Sequence, residues 1–507
     1  MKLGELLEGL DVGRIVGGTD VEISGLAYDS RKVGRGDLFF STARDLSRAR
    51  ANVEDAFRRG ASAAVVSGWD EETARPAMIL VECERPRLLM GAVASRFYNA
   101  PSRRLELVGV TGTAGKTTTT YILASILEAA GMPAGIIGTI GIFARGKTLY
   151  HGLTTPESID FESSLAAMER EGIRHVAAEV SSMGIAGGRV EELNFRACGF
   201  TNLGRDHLDD HGTMENYFQA KLRLFTEILP RSLSADPIAV VRGDDPYGKR
   251  ILAAVKTHKV SFGLDRALDA HPESYSAGLD GIRATISVLG KKIEITSPLV
   301  GEINLLNVLG ASALSVALGI ETAAVAEGVR RCPGAPGRME AVPATPGVTV
   351  LVDYAHKPDA LEAVLKTLRG LCKGRVICVF GCGGDRDRGK RPIMGEIAGR
   401  IADLPVLTSD NPRTEDPLSI IAEVEQGLVA SNLSRLGDAR SGERGYLVEP
   451  DRRSAIRLAL EAARPGDAVI VAGKGHEDYQ LVGSRVLQFD DRTVVREVAD
   501  AMARRQI

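Results

Sequence analysis

The chain has 507 residues, with 63 Lys+Arg against 66 Asp+Glu and a formal net charge of −3 at pH 7. Its 44% hydrophobic and 25% charged residues exclude a largely disordered chain, and its length exceeds what one hydrophobic core organises. The near-neutral balance excludes a global basic excess, so neither nucleic acid nor a membrane is an expected partner.

Residues 1 to about 100 read as a small α/β unit in which short strands such as 38–40 and 63–66 alternate with helical stretches. The opening MKLGELLEGLDVG carries acids where a signal peptide carries bases, and no run approaches the ~18 apolar residues of a membrane span. A cytoplasmic location is therefore expected. Next, LELVGVTG (105–112) reads as a buried strand that breaks into glycine and then a helix over 117–131, stopped by Gly131 and Pro133. Strands at 175–181, 197–203 and 237–243 alternate with helical patterns, which implies a parallel, doubly wound sheet.

The Pro/Gly-dense stretch 332–340 marks a linker, and the rhythm then restarts with strand runs at 348–356, 375–384, 404–412 and 467–477. The expected architecture is therefore α/β with three domains. A small N-terminal domain (1–102) precedes a central P-loop parallel-sheet ATPase domain (103–335) and a Rossmann-like C-terminal domain (336–507). The six cysteines (Cys83, Cys198, Cys332, Cys372, Cys378, Cys382) are scattered and lack metal-ligand spacing, so they read as small buried thiols. Many of the 56 glycines cluster at strand ends, over 109–115, 381–384 and 473–475, where ligands gather in open parallel sheets.

The first of these clusters continues as Gly112-Thr113-Ala114-Gly115-Lys116-Thr117-Thr118, between the strand and the helix. Glycines let backbone N–H groups curl around phosphate oxygens, and the helix N-terminus adds its partial positive charge. Lys116 would reach the β/γ-phosphates and the Thr117 hydroxyl would ligate Mg²⁺. Val110 stands where the general pattern has glycine, so only the G-T-x-G-K-T core is present. The loop implies ATP or GTP, and the chain lacks the N-K-x-D motif of a GTPase.

Eleven segments in order narrow this further: YDSRKVGRGDLFF (28–40), VTGTAGKTTTT (110–120), TTPES (154–158), EVSS (179–182), TNLGRDHLDDHG (201–212), YFQAKLRLF (217–225), GRME (337–340), DYAHKPDAL (353–361), FGCGGDRDRGKRP (380–392), SDNPRTEDP (409–417) and GKGHE (473–477). With them the chain resembles the Mur ligase family, ATP-dependent amide-bond ligases of peptidoglycan synthesis, and most closely its tripeptide-forming type. The resemblance implies that meso-2,6-diaminopimelate is added to UDP-N-acetylmuramoyl-L-Ala-D-Glu through an acyl phosphate. ATP and Mg²⁺ serve as co-substrate and cofactor, the other partners are small molecules, and the enzyme acts as a monomer. Three anions converge in such a reaction, so the site needs fixed cations and Mg²⁺ more than a protein nucleophile.

The same resemblance implies the site residues. Lys116, Glu179, His207 and Lys221 are the catalytic set; Thr117, Glu179, His207 and a carbamate on Lys221 would hold metal. Alone, Glu179 would be a strand-end acid, His207 a core histidine and Lys221 a solvated surface lysine. Asn307 would meet adenine, Asp353 the ribose and Arg338 the phosphates. Tyr28 and Ser30 would meet the UDP end of the acceptor, and Thr154, Thr155, Ser181 and Arg189 its muramoyl-dipeptide part. Arg386, Asp410, Asn411, Pro412, Arg413, Gly473 and Glu477 would contact the amino acid. Diaminopimelate carries one carboxylate more than lysine, and Arg413 offers a planar fork for it.

The chain departs from the family pattern at Ala114, Met183, Gly187 and STARDLSRARANVEDA (41–56). Apart from Ala114, these positions lie on the acceptor side. They leave open a paralogue that adds another amino acid, such as L-lysine, or acts on another carboxylate. An inactive nucleotide-binding relative is the alternative of another class, although Lys116, Lys221 and His207 are all present.

Overall fold

The run ELVGVT forms the strand Glu106–Thr111, with all but its first residue buried, as expected of a strand covered on both faces. It lies in a computed structural model that describes residues 1–43, 45–68, 78–150, 152–234, 236–438 and 444–505. By contact clustering the chain forms two compact units. The first holds residues 1–273, 286–293 and 306–328; the second holds 274–285, 294–305 and 329–507.

In the first unit, Glu106–Thr111 sits between His175–Glu179 and Phe195–Phe200 and is parallel to both. Ala134–Gly138 pairs beyond the former, and Ile238–Arg242 followed by His258–Phe262 beyond the latter, again parallel. The chain leaves Glu106–Thr111 toward one side of the sheet and later returns to the other. Its C-terminal end is thus a switch point, where an open parallel sheet forms its crevice. Two antiparallel strands added beyond Ala134–Gly138, Gly141–Ala144 and the edge strand Lys147–Tyr150, were not expected from the sequence. Neither alternates in burial over its four residues, so period 2 gives no sign of them.

The N-terminal residues of the same unit form a five-stranded sheet with hydrophobic clusters on both faces. The helix Leu46–Arg59 starts inside the divergent 41–56 stretch because Asp45 caps it, accepting from Arg48 N at 2.9 Å. Arg44, in the same stretch, lies outside the described residues.

Ile159, at the start of the helix Ser158–Arg170, packs into the N-terminal cluster. One turn on, Glu162 is buried, and neither of its carboxylate oxygens has a hydrogen-bond partner among the described residues. Burial pushes its carboxyl up to about 8. A carboxyl that holds its proton more tightly when folded contributes full stability below its unfolded pKa, near 4.5, and costs stability as pH rises toward 8. Glu162→Gln is therefore expected to stabilise the protein by roughly 1–3 kcal/mol at pH 8 and by little at pH 4.5. Thermal unfolding of both proteins across that range checks this.

The second unit carries its own parallel sheet. Thr349–Asp353, Ala468–Ala472, Val376–Phe380, Leu404–Leu407 and Gly445–Val448 pair in that spatial order, with hydrophobic clusters on both faces. The helices Pro358–Leu371, Lys390–Ile401 and Pro417–Ala430 follow their strands as expected. Beyond 477, where the sequence series stops, come a hairpin of Tyr479–Val482 and Arg485–Gln488 and a last helix, Asp491–Arg505. All six cysteines are free and buried, and burial pushes the Cys378 and Cys382 thiols up to about 12.

Candidate active site

The phosphate loop leaves Glu106–Thr111 and opens the helix Lys116–Ala129. Gly112 (φ 152°) and Gly115 (φ 85°) both adopt the region that glycine favours, and a Cβ on either would overlap a neighbour, Thr201 or Asn307 respectively. The segment 201–204 buttresses the loop. Thr113 N donates to Asn202 O at 3.0 Å and Ala114 N to Asn202 Oδ1 at 2.9 Å. Asn202 Nδ2 and Thr201 Oγ1 both donate to Ala114 O. Two N–H groups of the loop are thus committed to protein, which leaves the start of the helix to supply donors to an anion. Asn202 was not among the expected site residues, although its motif was. Its spacing carries no sign of this role.

Lys116 Nζ donates to Gly112 O (2.8 Å) and Thr113 O (3.1 Å). Lys221, on the helix Met214–Arg223, is 1% exposed and donates to the same Gly112 O at 3.1 Å. The bland expectation of a solvated surface lysine fails here, because the helix turns this position inward over the loop. Burial first, and the neighbouring Lys116 charge second, pull the Lys221 amine well below the usual lysine range. Beyond Arg223 the helix continues as a π turn, Leu224–Ile228, a distortion that recurs at functional sites.

Glu179 ends its strand, also buried, and its two oxygens accept from Thr139 N (2.8 Å) and Thr139 Oγ1 (3.1 Å). Each oxygen retains lone pairs. His207 stands at φ 53° before a single helical turn, half exposed, with Asp206 and Asp210 oxygens each 3.5 Å from a ring nitrogen. It is not the core histidine that a lone example suggests. No group of three His, Cys, Asp or Glu side chains poised for a metal occurs among the described residues. A cation site therefore depends on the Thr117 hydroxyl and Lys221 as well. Their donor chemistry, oxygen-rich with one imidazole, would suit Mg²⁺ if the lysine carried a carbamate.

On the acceptor side a cavity of about 1100 Å³ opens in the same unit, lined by Ser41, Thr42, Ala43, Met183, Gly187 and Arg189 among others. Three of the divergent positions thus meet in one place. Arg189 ties to Glu157 (3.0 Å) and to Thr155 O (3.1 Å). Thr155 Oγ1 donates to Glu179 O at 2.9 Å, and Ser181 caps its short helix by accepting from Gly184 N at 3.0 Å. These hydroxyls do what loop Ser and Thr usually do, and they hold the Glu179 strand end in the process. Thr154 Oγ1 lies 3.1 Å from Thr139 Oγ1. Tyr28 donates to Asp160 Oδ2 at 2.5 Å, with burial and then that carboxylate raising its phenol. Ser30 is buried at the start of a 3₁₀ turn.

In the second unit, Asp353 ends its strand and accepts from Met339 N (2.7 Å) and Ala355 N (2.9 Å), while burial raises its carboxyl. Arg338 lies 4.9 Å from the Tyr354 ring centroid, and its Nε is buried without a partner among the described residues. The DNPR residues follow the strand Leu404–Leu407 and meet GKGHE. Asn411 Nδ2 donates to Glu477 Oε2 at 2.8 Å, and Asn411 Oδ1 accepts from Lys474 Nζ (3.1 Å) and Leu481 N (3.0 Å). Asp410 is buried so close to Gly473 that a Cβ there would meet its carboxylate at 2.5 Å.

Arg413 adopts φ 53°, held by Arg413 N to Leu481 O (3.0 Å) and Gly483 N to Arg413 O (2.6 Å). Its NH1 donates to Gly384 O at 2.8 Å and Asn411 O at 3.4 Å. The rest of the guanidinium fork has no partner among the described residues. Arg386 is exposed and, among the described residues, reaches only its neighbour's carbonyl, Asp385 O, at 3.2 Å. Lys474 is 0% exposed, between Asn411 and Glu477 (3.3 Å). Its place between two expected contacts, Gly473 and Glu477, was the available signal.

A phosphate loop at a sheet switch point, with a buried carboxylate and a buried lysine alongside, defines a P-loop α/β enzyme of phosphoryl transfer. Comparison with known proteins agrees. The family model of the Mur ligase middle domain matches residues 110–315, and that of the Mur ligase, glutamate ligase domain matches residues 337–475. The chain is 42% identical over 500 residues to the UDP-N-acetylmuramoyl-L-alanyl-D-glutamate--2,6-diaminopimelate ligase of Geobacter metallireducens, covering 98% of each chain. The Solibacter usitatus protein of the same name is also 42% identical, over 504 residues and 98% of each chain. A solved structure of a ligase of that name superposes with a TM-score of 0.70 at 31% identity, over 99% of each chain. The chain belongs to the Mur ligase family. It is an ATP-dependent ligase, and none of its described helices is long and apolar enough to cross a membrane.

Proposed function

We propose that the enzyme joins meso-2,6-diaminopimelate to the D-Glu carboxylate of UDP-N-acetylmuramoyl-L-Ala-D-Glu. The γ-phosphoryl group of ATP moves to that carboxylate and ADP leaves. The ammonium gives one proton to solvent, the free amine attacks the acyl carbon, and as the C–N bond forms inorganic phosphate departs and a second proton leaves the nitrogen for solvent. Lys116 and the first turn of its helix hold the phosphates. Burial loosens the proton on the Lys221 amine and so favours the form that condenses with CO₂, and its carbamate would join Thr117, Glu179 and His207 around Mg²⁺. Bound there, Mg²⁺ neutralises charge on the triphosphate. The cavity beside Met183, Gly187 and Arg189 takes the acceptor.

The observation that carries the choice of amino acid is the open fork of Arg413 next to a Glu477–Asn411–Lys474 cluster. It offers a carboxylate a planar partner and leaves one Glu477 oxygen for an ammonium. Lysine would leave the fork unmatched. Domain boundaries at 102/103 and 335/336, a monomeric state and a cytoplasmic location belong to the same assignment. An amino-acid panel with UDP-N-acetylmuramoyl-L-Ala-D-Glu and ATP, read as ADP release and product mass, tests it. Diaminopimelate is expected to give the single new product at appreciable rate; equal kcat/KM for L-lysine would overturn the assignment.

A further inference from the structure

The segment YFQAKLRLF brings Lys221 to the site but leaves its first residue without a task. Tyr217 is 1% exposed and lies one helical turn before Lys221. Lys221 Nζ sits 4.7 Å from the centroid of its ring, and the rings of His211 and His207 lie 5.2 Å and 6.0 Å away. The Tyr217 hydroxyl is 3.1 Å from Thr113 Oγ1, a member of the phosphate loop. Thr113 Oγ1 also accepts from Gly204 N at 3.0 Å and donates to Gly204 O at 3.3 Å. A hydroxyl has one proton to give, so with that proton on Gly204 O, Thr113 accepts and Tyr217 donates.

The loop is thus tied from two sides. The segment 201–204, which follows the strand Phe195–Phe200, holds it through Asn202 and Gly204, and the lysine-bearing helix reaches it through the Tyr217 hydroxyl, alongside the Lys221 contact to Gly112 O. A phenylalanine would fill the same buried volume. The hydroxyl is the part of this side chain that packing does not require, and it points to the loop.

We propose that Tyr217 is a positioning residue of the nucleotide site, an assignment that presupposes the ATP-dependent reaction proposed above. Its hydroxyl sets the phosphate loop in register with the helix that carries Lys221, and its ring face seats the Lys221 amine. Both ends of the phosphoryl transfer, the loop and the lysine, are then referenced to one rigid side chain.

The test uses the full-length enzyme and its Tyr217→Phe, Thr113→Val and double variants. Calorimetric affinity for ADP is measured alongside KM for ATP, acceptor and amino acid, and Tm. Tyr217→Phe is expected to weaken ADP binding and raise KM for ATP about three- to tenfold, with the other two KM values and Tm unchanged. The double variant is expected to lose less than the sum of the single losses, since both single variants remove the same Tyr217–Thr113 bond, Thr113→Val together with its two Gly204 bonds. Wild-type ADP affinity in Tyr217→Phe would overturn the proposal. So would additive losses, or equal rises in all three KM values with a lowered Tm, the mark of simple packing. ADP binding needs neither acceptor nor amino acid, so a silent amino-acid panel with intact ADP binding would refute the ligase assignment alone.

Discussion

Lys116→Met is expected to lower the rate of ADP formation by about 10²–10³-fold while leaving the fold intact. The lysine stands at the N-terminus of its helix and already reaches across the loop to the carbonyls of Gly112 and Thr113. Its charge is a flexible cation within reach of a β/γ-phosphate held there. Methionine keeps most of the length and apolar volume, so the loss falls on charge alone. Steady-state kinetics with diaminopimelate and acceptor at saturation, together with Tm, check this. A kcat within a few-fold of wild type would remove Lys116 from the chemistry.

Arg413→Ala is expected to reduce kcat/KM for diaminopimelate by about 10–100-fold, the range for a charge-assisted hydrogen bond lost in a buried site. The value for L-lysine should change far less, so discrimination between the two falls by nearly the same factor. Arg413→Lys keeps the charge but not the fork and should recover only part of it. The hairpin Tyr479–Val482/Arg485–Gln488 pins Arg413 through backbone bonds that survive these substitutions. KM for ATP should be untouched. An unchanged amino-acid preference in both variants would place the selecting residue elsewhere, with Lys474 the next to replace.

The phosphate loop, the alternation of strands and helices and the family resemblance are local properties, and they were legible in the chain. A glycine-rich turn between an apolar run and a helix reads the same whatever surrounds it, so residues 112–118 and the helix Lys116–Ala129 could be placed directly. The strands Gly141–Ala144 and Lys147–Tyr150 could not, because strands of four residues, one mostly buried and one mostly exposed, carry little periodicity. Nor could the hairpin and last helix beyond 477. The roles of Thr155 and Ser181 were half legible: the resemblance pointed to the acceptor, and the structure ties Thr155 to the Glu179 strand end and Ser181 to the cap of its own short helix.

Burial is what the linear chain withholds. Lys221 and any surface lysine look alike in sequence, yet the former is 1% exposed and shares a carbonyl with Lys116. The commitment of two loop N–H groups to Asn202, and the reach of Tyr217 to Thr113 across 104 positions, are likewise products of sheet order. Sequence by itself determined the α/β class, the nucleotide loop and the family, since each rests on residue type and spacing within a few turns of chain. Only tertiary structure decided which charges are desolvated, which donors remain for a ligand and which fork is left open. Those quantities depend on neighbours brought together by folding, and desolvation alone moves a lysine or a carboxyl far enough to change its chemistry.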